Sequence, residues 1–227
     1  MKIAIVGPEY EKVLPLLQKH GDFFEVTETN PEIVISYGGD GTLMEAEYLY
    51  PGVPKLYLRN SHIAKLAHQT KENEEILEQF IKGRYKIQEC VKLEATAKDK
   101  TLVGLNDIVV HNENPRHSIR YTVQVDDDIV SNEIIGDGLV FATPLGSTGY
   151  YRSITDSSFE IGIGLAFNNS TEQSDHIVLR ENRVIRVKIT RGPAFCYADN
   201  QKEYVELMDG EMVEVRKSSL LAKIIRV

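Results

Sequence analysis

Ile33-Val34-Ile35-Ser36-Tyr37-Gly38-Gly39-Asp40-Gly41-Thr42 is an apolar, β-favouring run that breaks directly into a loop of three glycines around one carboxylate. A short continuous apolar run ended by glycines predicts a strand buried on both faces, as in a parallel sheet. Glycine allows the backbone to approach a ligand with no Cβ in the way, and successive N–H groups before a helix make an anion site. Asp40 would repel phosphate, so its presence points to chemistry beyond anion binding: taking a proton from a hydroxyl that attacks phosphorus, or holding a metal. A strand-to-helix turn with a capping Asp accounts for the same residues, and at this point both readings stand.

Working outward, the first third alternates. Lys2–Gly7 reads as a strand, Glu9–His20 as a helix with Val13, Leu14, Leu16 and Leu17 on one face, and Leu43–Tyr50 as a helix stopped by Pro51-Gly52. Val53–Leu58 reads as a third strand, and Glu72–Lys82 as a helix carrying Ile76, Leu77, Phe80 and Ile81. Strand–helix alternation with short connections predicts a parallel sheet covered by helices, with ligands at the carboxyl ends of the strands. That is where Gly38–Thr42 falls.

Past residue 85 the texture changes to strands: Lys92–Ala97, Leu102–His111, Ile119–Val125, Ile129–Ile135, Leu139–Thr143, Ile161–Phe167, Val184–Thr190, Phe195–Ala198, Tyr204–Leu207 and Met212–Arg216. In Ile119–Val125 apolar and polar residues alternate, the pattern of a strand with one wet face. Asp126-Asp127-Asp128 reads as a hairpin turn, since no loop around it has EF-hand spacing. The expectation is therefore two domains: an α/β domain over residues 1–88 and a mostly-β domain over 89–227, with the closing run Leu221–Val227 a candidate to rejoin the first.

Bulk properties narrow the function classes. At 227 residues with 42% hydrophobic and 26% charged residues the chain is ordinarily globular. A net charge of −8 without a basic block argues against nucleic acid as a partner, and opposes a polyphosphate unless local cations or Mg²⁺ offset it. Cys90 and Cys196 lack redox or metal spacing and read as buried free thiols of a reducing compartment. With no signal-peptide pattern before the first strand and no apolar run near the roughly 20 residues of a membrane span, a soluble cytoplasmic protein is expected. His62, His68, His111, His117 and His176 have no metal-ligand spacing and read as packed or solvated, as Tyr48, Tyr50 and Tyr57 read as core-edge packing.

A second segment decides the function class. Gly136-Asp137-Gly138-Leu139-Val140-Phe141-Ala142-Thr143-Pro144-Leu145-Gly146-Ser147-Thr148-Gly149-Tyr150 holds a glycine-flanked acid, a strand and a loop rich in hydroxyls and amides, which suit ribose or phosphate oxygens. Taken with Gly38–Thr42 as a GGDGT loop, Leu105-Asn106-Asp107 as an LNE/LND strand, and Asp199-Asn200-Gln201 at a DGQ-like position, it resembles the NAD kinase family in the family's order along most of the chain. GGDGT alone is weakly specific, since lipid kinases and phosphofructokinases carry similar loops; the long GDG…TPxGST segment is specific.

The resemblance implies an α/β N-terminal domain, a β-rich C-terminal domain, an active site between them, and phosphoryl transfer from ATP to the adenosine-ribose 2′-hydroxyl of NAD to give NADP. It implies Asp40 as general base or orienting group, and the amides of Gly38, Gly39, Gly41 and Thr42 facing donor phosphates. Asn106 and Asp107 would contact adenosine, Asp137 the nicotinamide-side ribose (often from a neighbouring subunit), and Thr148, Gly149 and Tyr150 the adenine pocket, with Ser153 nearby. Mg²⁺ would arrive on ATP with no protein residue as its direct ligand, and the chain would form a homodimer or homotetramer. ATP and polyphosphate stay open as donors, and NAD and NADH as acceptors.

Three departures from the family pattern bear on substrate detail. The family's N-x-G-x-x-G-F-L-like loop is here Arg59-Asn60-Ser61-His62-Ile63-Ala64-Lys65-Leu66, in which Arg59 and Lys65 are candidate phosphate contacts. Glu45 stands where many relatives have a non-acidic residue, and Leu165–Ser170 replaces a TPICPH-like region. Two rival readings follow: a GGDGT-type kinase for a lipid or sugar hydroxyl, and a non-catalytic dinucleotide sensor on the same scaffold.

Overall fold

Ile3, Ile33, Ile35, Leu56 and Leu58 point to one face of a parallel sheet, and Ala4, Val6 and Val34 to the other, the period of two that a strand imposes. A computed structural model of the chain describes residues 1–60, 72–171 and 175–227. These divide into two units, Met1–Cys90 with Leu221–Val227, and Val91–Leu220.

The first unit contains β1 (Lys2–Val6), α1 (Leu14–Gln18), β2 (Glu25–Val26), β3 (Ile33–Gly38), α2 (Asp40–Leu49), β4 (Lys55–Arg59) and α3 (Asn73–Ile81). Its strands lie parallel in the order β2-β1-β3-β4. All six residues of β3 are buried, as its uninterrupted apolar run predicts. Ile76, Leu77 and Phe80 of α3, with Val13 and Leu17, cover one face; Ala46 of α2, with Tyr50 and Val53, covers the other. The helix expected over Glu9–His20 is shorter: a 3-10 turn at Tyr10–Lys12 precedes α1, whose Pro15 stands in the first turn. Proline lacks the N–H an interior position needs but suits a helix start.

The second unit is built from β5 (Lys86–Ala97), β6 (Lys100–Gly104), β7 (Asp107–Asn112), β8 (Ile119–Val125), β9 (Asp128–Gly136), β10 (Gly138–Ala142), α4 (Tyr150–Thr155), β11 (Ile163–Asn168), β12 (His176–Leu179), β13 (Ile185–Arg191), β14 (Ala194–Ala198), β15 (Tyr204–Leu207) and β16 (Met212–Arg226). β5 begins, and β16 ends, among residues of the first unit. One sheet runs β12-β11-β10-β7-β14-β15, all antiparallel. The strands β9, β8, β13 and the start of β16 pair in that order, also antiparallel. Ile119, Tyr121, Val123 and Val125 of β8 are buried, and the residues between them are less so. They share a core with Ile108, Val110, Leu139, Phe141, Leu165 and Phe167 from the six-stranded sheet. That sheet's other face, Val109, Val140, Ala142 and Ala166, is covered by Tyr151 with Tyr150, Ile154 and Phe159. Covering this face is what brings Tyr150 over the strands.

Two strand expectations change. The run Leu102–His111 is two strands, β6 and β7, parted at Leu105-Asn106, because a side chain takes up the backbone amides there. The strand beginning at Met212 continues to Arg226, and its Ile224 and Ile225 pair in parallel with Lys55 and Leu56 of β4. No helix among the described residues is long and apolar enough to cross a membrane.

Candidate functional site

In the α/β unit the glycine loop joins β3 to α2, and Asp40 is the first residue of the helix. The leading N–H groups of a helix have no intrahelical acceptors and carry the positive end of its dipole. Thr42 and Leu43 donate back to the Gly39 carbonyl (3.0 and 3.4 Å), closing the turn. Thr42, 9% exposed, folds against the strand end. A Cβ on Gly38 would sit 2.2 Å from Thr42 Oγ1, so glycine is required there by packing. A Cβ on Gly39 would meet nothing within 4 Å among the described residues.

Asp40 Oδ1 accepts a hydrogen bond from the Tyr57 hydroxyl at 3.0 Å. Tyr57 is buried in the neighbouring strand β4, opposite Ser36 in register. Burial raises the Tyr57 phenol well above its ordinary range, and the Asp40 carboxylate raises it further. The phenol thus remains a donor at every working pH. Arg59 ends β4 opposite Gly38. Asn73 clamps its backbone from both sides (3.1 and 2.8 Å), and its guanidinium lies 3.9 Å from Glu72. Glu45 is exposed on α2. Lys65, with the rest of Ser61–Leu66 and His68, lies outside the described residues.

In the β-rich unit a second cluster forms around Asp199. Its carboxylate accepts three backbone N–H bonds, from Leu105 (2.7 Å), Asn106 (2.8 Å) and Asp107 (3.1 Å), and its own N–H donates to the Asp107 carbonyl. These bonds break β6 from β7. The loop after β10 locks onto the same turn: Thr143 donates its N–H to Asn106 O and its hydroxyl to Leu105 O, both at 2.8 Å. A Cβ on Gly146 would fall 2.1 Å from the Asn106 carbonyl oxygen, so only glycine lets the two segments touch.

Held this way, Asn106 is 8% exposed, and its Oδ1 has no partner among the described residues. A buried amide oxygen left unpaired costs roughly 1–3 kcal/mol unless a ligand or water meets it. Asp107 beside it is pushed up to about 7, first by burial and then by the Asp199 charge. Asp199 is itself raised by burial, against which its three amide bonds work. The Tyr150 phenol is raised by burial and then by Asp137 and Asp107, and Tyr197 is pushed up to about 12 by burial, Tyr150 and Asp107. The two tyrosines and Asp107 therefore share one polar neighbourhood over the sheet.

Asp137 lies at the other end of β10, since Ala142 pairs Asp107 while Gly138 pairs His111. Its carboxylate accepts from Asn112 (3.4 Å) and Asn169 (3.0 Å). Tyr150 reaches toward that end, where Asn168 donates to its hydroxyl at 3.1 Å. The Thr148 hydroxyl is 3.5 Å from Leu145 O, and Gly149 donates its N–H to Gly146 O. Ser153 is exposed, and its hydroxyl donates to Tyr150 O at 2.7 Å. Among the described residues no three His, Cys, Asp or Glu side chains group to hold a metal.

Sequence reading missed three contributors: Tyr57, taken as packing; Thr143, taken only as the end of a strand; and the role of Asp199. Asp199 stands at a left-handed φ of 48° before Asn-Gln, so a turn signal marks its place, whereas nothing in the local sequence marks Tyr57.

Comparison with known proteins places the chain in a family. The family model of the ATP-NAD kinase C-terminal domain matches residues 105–227. The NAD kinase of Methanothermobacter thermautotrophicus is 28% identical over 222 residues, covering 94% of this chain and 77% of that protein. The NAD kinase of Ruminiclostridium cellulolyticum is 30% identical over 216 residues, covering 87% of this chain and 74% of that one. In fold, the chain resembles the crystal structure of an NAD kinase from Archaeoglobus fulgidus in complex with ATP, with a TM-score of 0.82 at 21% identity over 100% of this chain and 94% of that one. With more than half its length in the family model and a 30% identical relative largely covered, the chain belongs to the NAD kinase family.

Proposed function

We propose that the chain is an NAD kinase that transfers a phosphoryl group from ATP to the 2′-hydroxyl of the adenosine ribose of NAD, giving NADP. The observation that carries this reading is Asp40 itself, a carboxylate at a helix start among glycines and hydrogen-bonded in place by Tyr57. Phosphoryl transfer needs position and charge neutralisation more than covalent chemistry. A ribose hydroxyl is a poor acid, so a carboxylate that accepts its proton as the oxygen attacks contributes roughly 10²–10⁴ in rate.

In this proposal the amides of Gly38, Gly39, Gly41 and Thr42 face donor phosphates, and Arg59 adds positive charge at the neighbouring strand end. Asn106 and Asp107 bind the adenosine: the unpaired Oδ1 of Asn106 accepts a hydrogen bond from it. Thr148, Gly149 and Tyr150 line the adenine pocket with Ser153 at its margin, and Asp137 binds the second ribose. The α/β unit thus serves the donor and the β-rich unit the dinucleotide. Mg²⁺ carried on ATP offsets phosphate charge that Asp40 and the acidic chain would otherwise oppose.

The reading extends to assembly and compartment. Ile129 and Val130 on β9, Val178 on β12 and Tyr204 on β15 are exposed on strands that end their pairing order, which suits a homodimer or homotetramer. Cys90 and Cys196 are free and buried, in keeping with the cytoplasm.

The test is NADP formation by the purified chain with ATP, Mg²⁺ and NAD. Asp40→Asn is expected to lower turnover at least about a hundredfold with the fold intact. Full activity in Asp40→Asn would remove the base assignment, and no NADP from the unaltered chain would remove the reaction.

A further inference from the structure

Two polar contacts from a single strand fasten the two ends of α2. Lys55 and Tyr57 stand two residues apart on β4, on one face of the strand, and both reach α2. Buried Lys55 pairs with buried Glu47 and donates to the Tyr50 carbonyl at 2.6 Å, at the helix's last turn. Tyr57, two residues on, donates to Asp40 at its first. The second contact needs a physical reason. A core position would hold phenylalanine as well, and burying a phenolic hydroxyl costs free energy unless it is bonded.

We propose that Tyr57 is a positioning residue for the phosphoryl-transfer reaction: its hydroxyl holds Oδ1 of Asp40 and so presents the carboxylate to the attacking hydroxyl. This rests on the proposed function of Asp40. A carboxylate at the first turn of a helix has several staggered rotamers open to it. A donor from a buried strand selects one of them. Fixing a reacting group within a fraction of an ångström is worth more than its basicity, which a hydrogen bond of this kind reduces. Tyr57 never touches the substrate in this account and acts only through Asp40.

A double-mutant cycle tests it, with NADP formation measured for the unaltered chain, Tyr57→Phe, Asp40→Asn and the double variant. Tyr57→Phe is expected to lower kcat roughly tenfold or more while KM for NAD and for ATP stays within about twofold. In the Asp40→Asn background the same substitution is expected to change the residual rate less than about twofold, because the hydroxyl then positions an amide that cannot take the proton. Equal losses in both backgrounds, a loss confined to KM, or unchanged kcat in Tyr57→Phe would each overturn the proposal while leaving NAD kinase activity standing. If the unaltered chain makes no NADP, both readings fall. Should Tyr57→Phe not fold, Tyr57→Met takes its place in the cycle, and failure of both to fold assigns Tyr57 to the core instead.

Discussion

Replacing Asp199 by asparagine removes one charge and almost no volume, and the geometry says what that should do. Two of the three amides, those of Asn106 and Asp107, converge on Oδ1, and that of Leu105 goes to Oδ2. An asparagine can keep its oxygen on the converging pair only by turning its NH₂ toward the Leu105 N–H, donor against donor. One charge-assisted bond is lost, about 1.5–3 kcal/mol, and two fall to neutral strength, about 1 kcal/mol each. Relief from burying the charge offsets part of this, leaving a net loss of roughly 2–4 kcal/mol. For a chain of this size that lowers the thermal midpoint by roughly 5–15 °C.

A second readout separates this mechanism from general damage. Asp107, raised to about 7 by burial and by Asp199, titrates with Asp199 as a coupled pair. Its native-state value lies above the ordinary carboxylate value of 3.8, so the folded chain holds this proton more tightly than the unfolded one. The stability it contributes is complete below about pH 4 and is lost as pH rises to about 7. An ionised Asp107 accepts hydrogen bonds that its protonated form does not, so KM for NAD is expected to fall as pH passes through about 7. In Asp199→Asn only burial still raises Asp107, and the inflection moves to lower pH. A variant that melts within a degree of the unaltered chain, with its KM inflection unmoved, would refute the assignment of Asp199 as the anchor of this turn.

Two other substitutions probe the scaffolds of the two clusters. Lys55→Met strands the Glu47 carboxylate in the core and is expected to cost roughly 3–5 kcal/mol, measured by denaturant unfolding; adding Glu47→Met should recover much of that loss. Gly146→Ala drives a methyl to 2.1 Å from the Asn106 carbonyl oxygen, a backbone atom that no rotamer change can move aside. It is expected to destabilise by roughly 1–3 kcal/mol and to raise KM for NAD several-fold with kcat less affected. Calorimetric NAD binding equal to that of the unaltered chain would count against the contact.

The fold was legible wherever burial imposes a period. Six buried positions in succession mark β3 as a central parallel strand, and the alternation of Ile119, Tyr121, Val123 and Val125 marks β8 as a strand with one covered face. Local pattern failed where a distant residue decides. Leu102–His111 is continuous in composition, yet it breaks at Leu105-Asn106 because an acid 92 to 94 residues away captures three amides. The helix Tyr150–Thr155 is six residues long, too short to show a helical repeat, and it is held by packing on the apolar face of Val109, Val140, Ala142 and Ala166.

The site divides along the same line. Glycines and acids proposed to meet small molecules sit at fixed spacings on one loop, since a ligand's dimensions would set them, so Gly38–Thr42 and Gly136–Tyr150 stand out in the sequence. Residues that hold those groups answer only to register between strands. Tyr57 serves Asp40 because β4 lies beside β3 with Ser36 opposite Tyr57. A one-residue slip in that pairing would turn the phenol to the other face and put Leu56 or Leu58 beneath the Asp40 carboxylate. In this chain, then, the residues proposed to do chemistry are written in local sequence, and those that hold them in the pairing of strands.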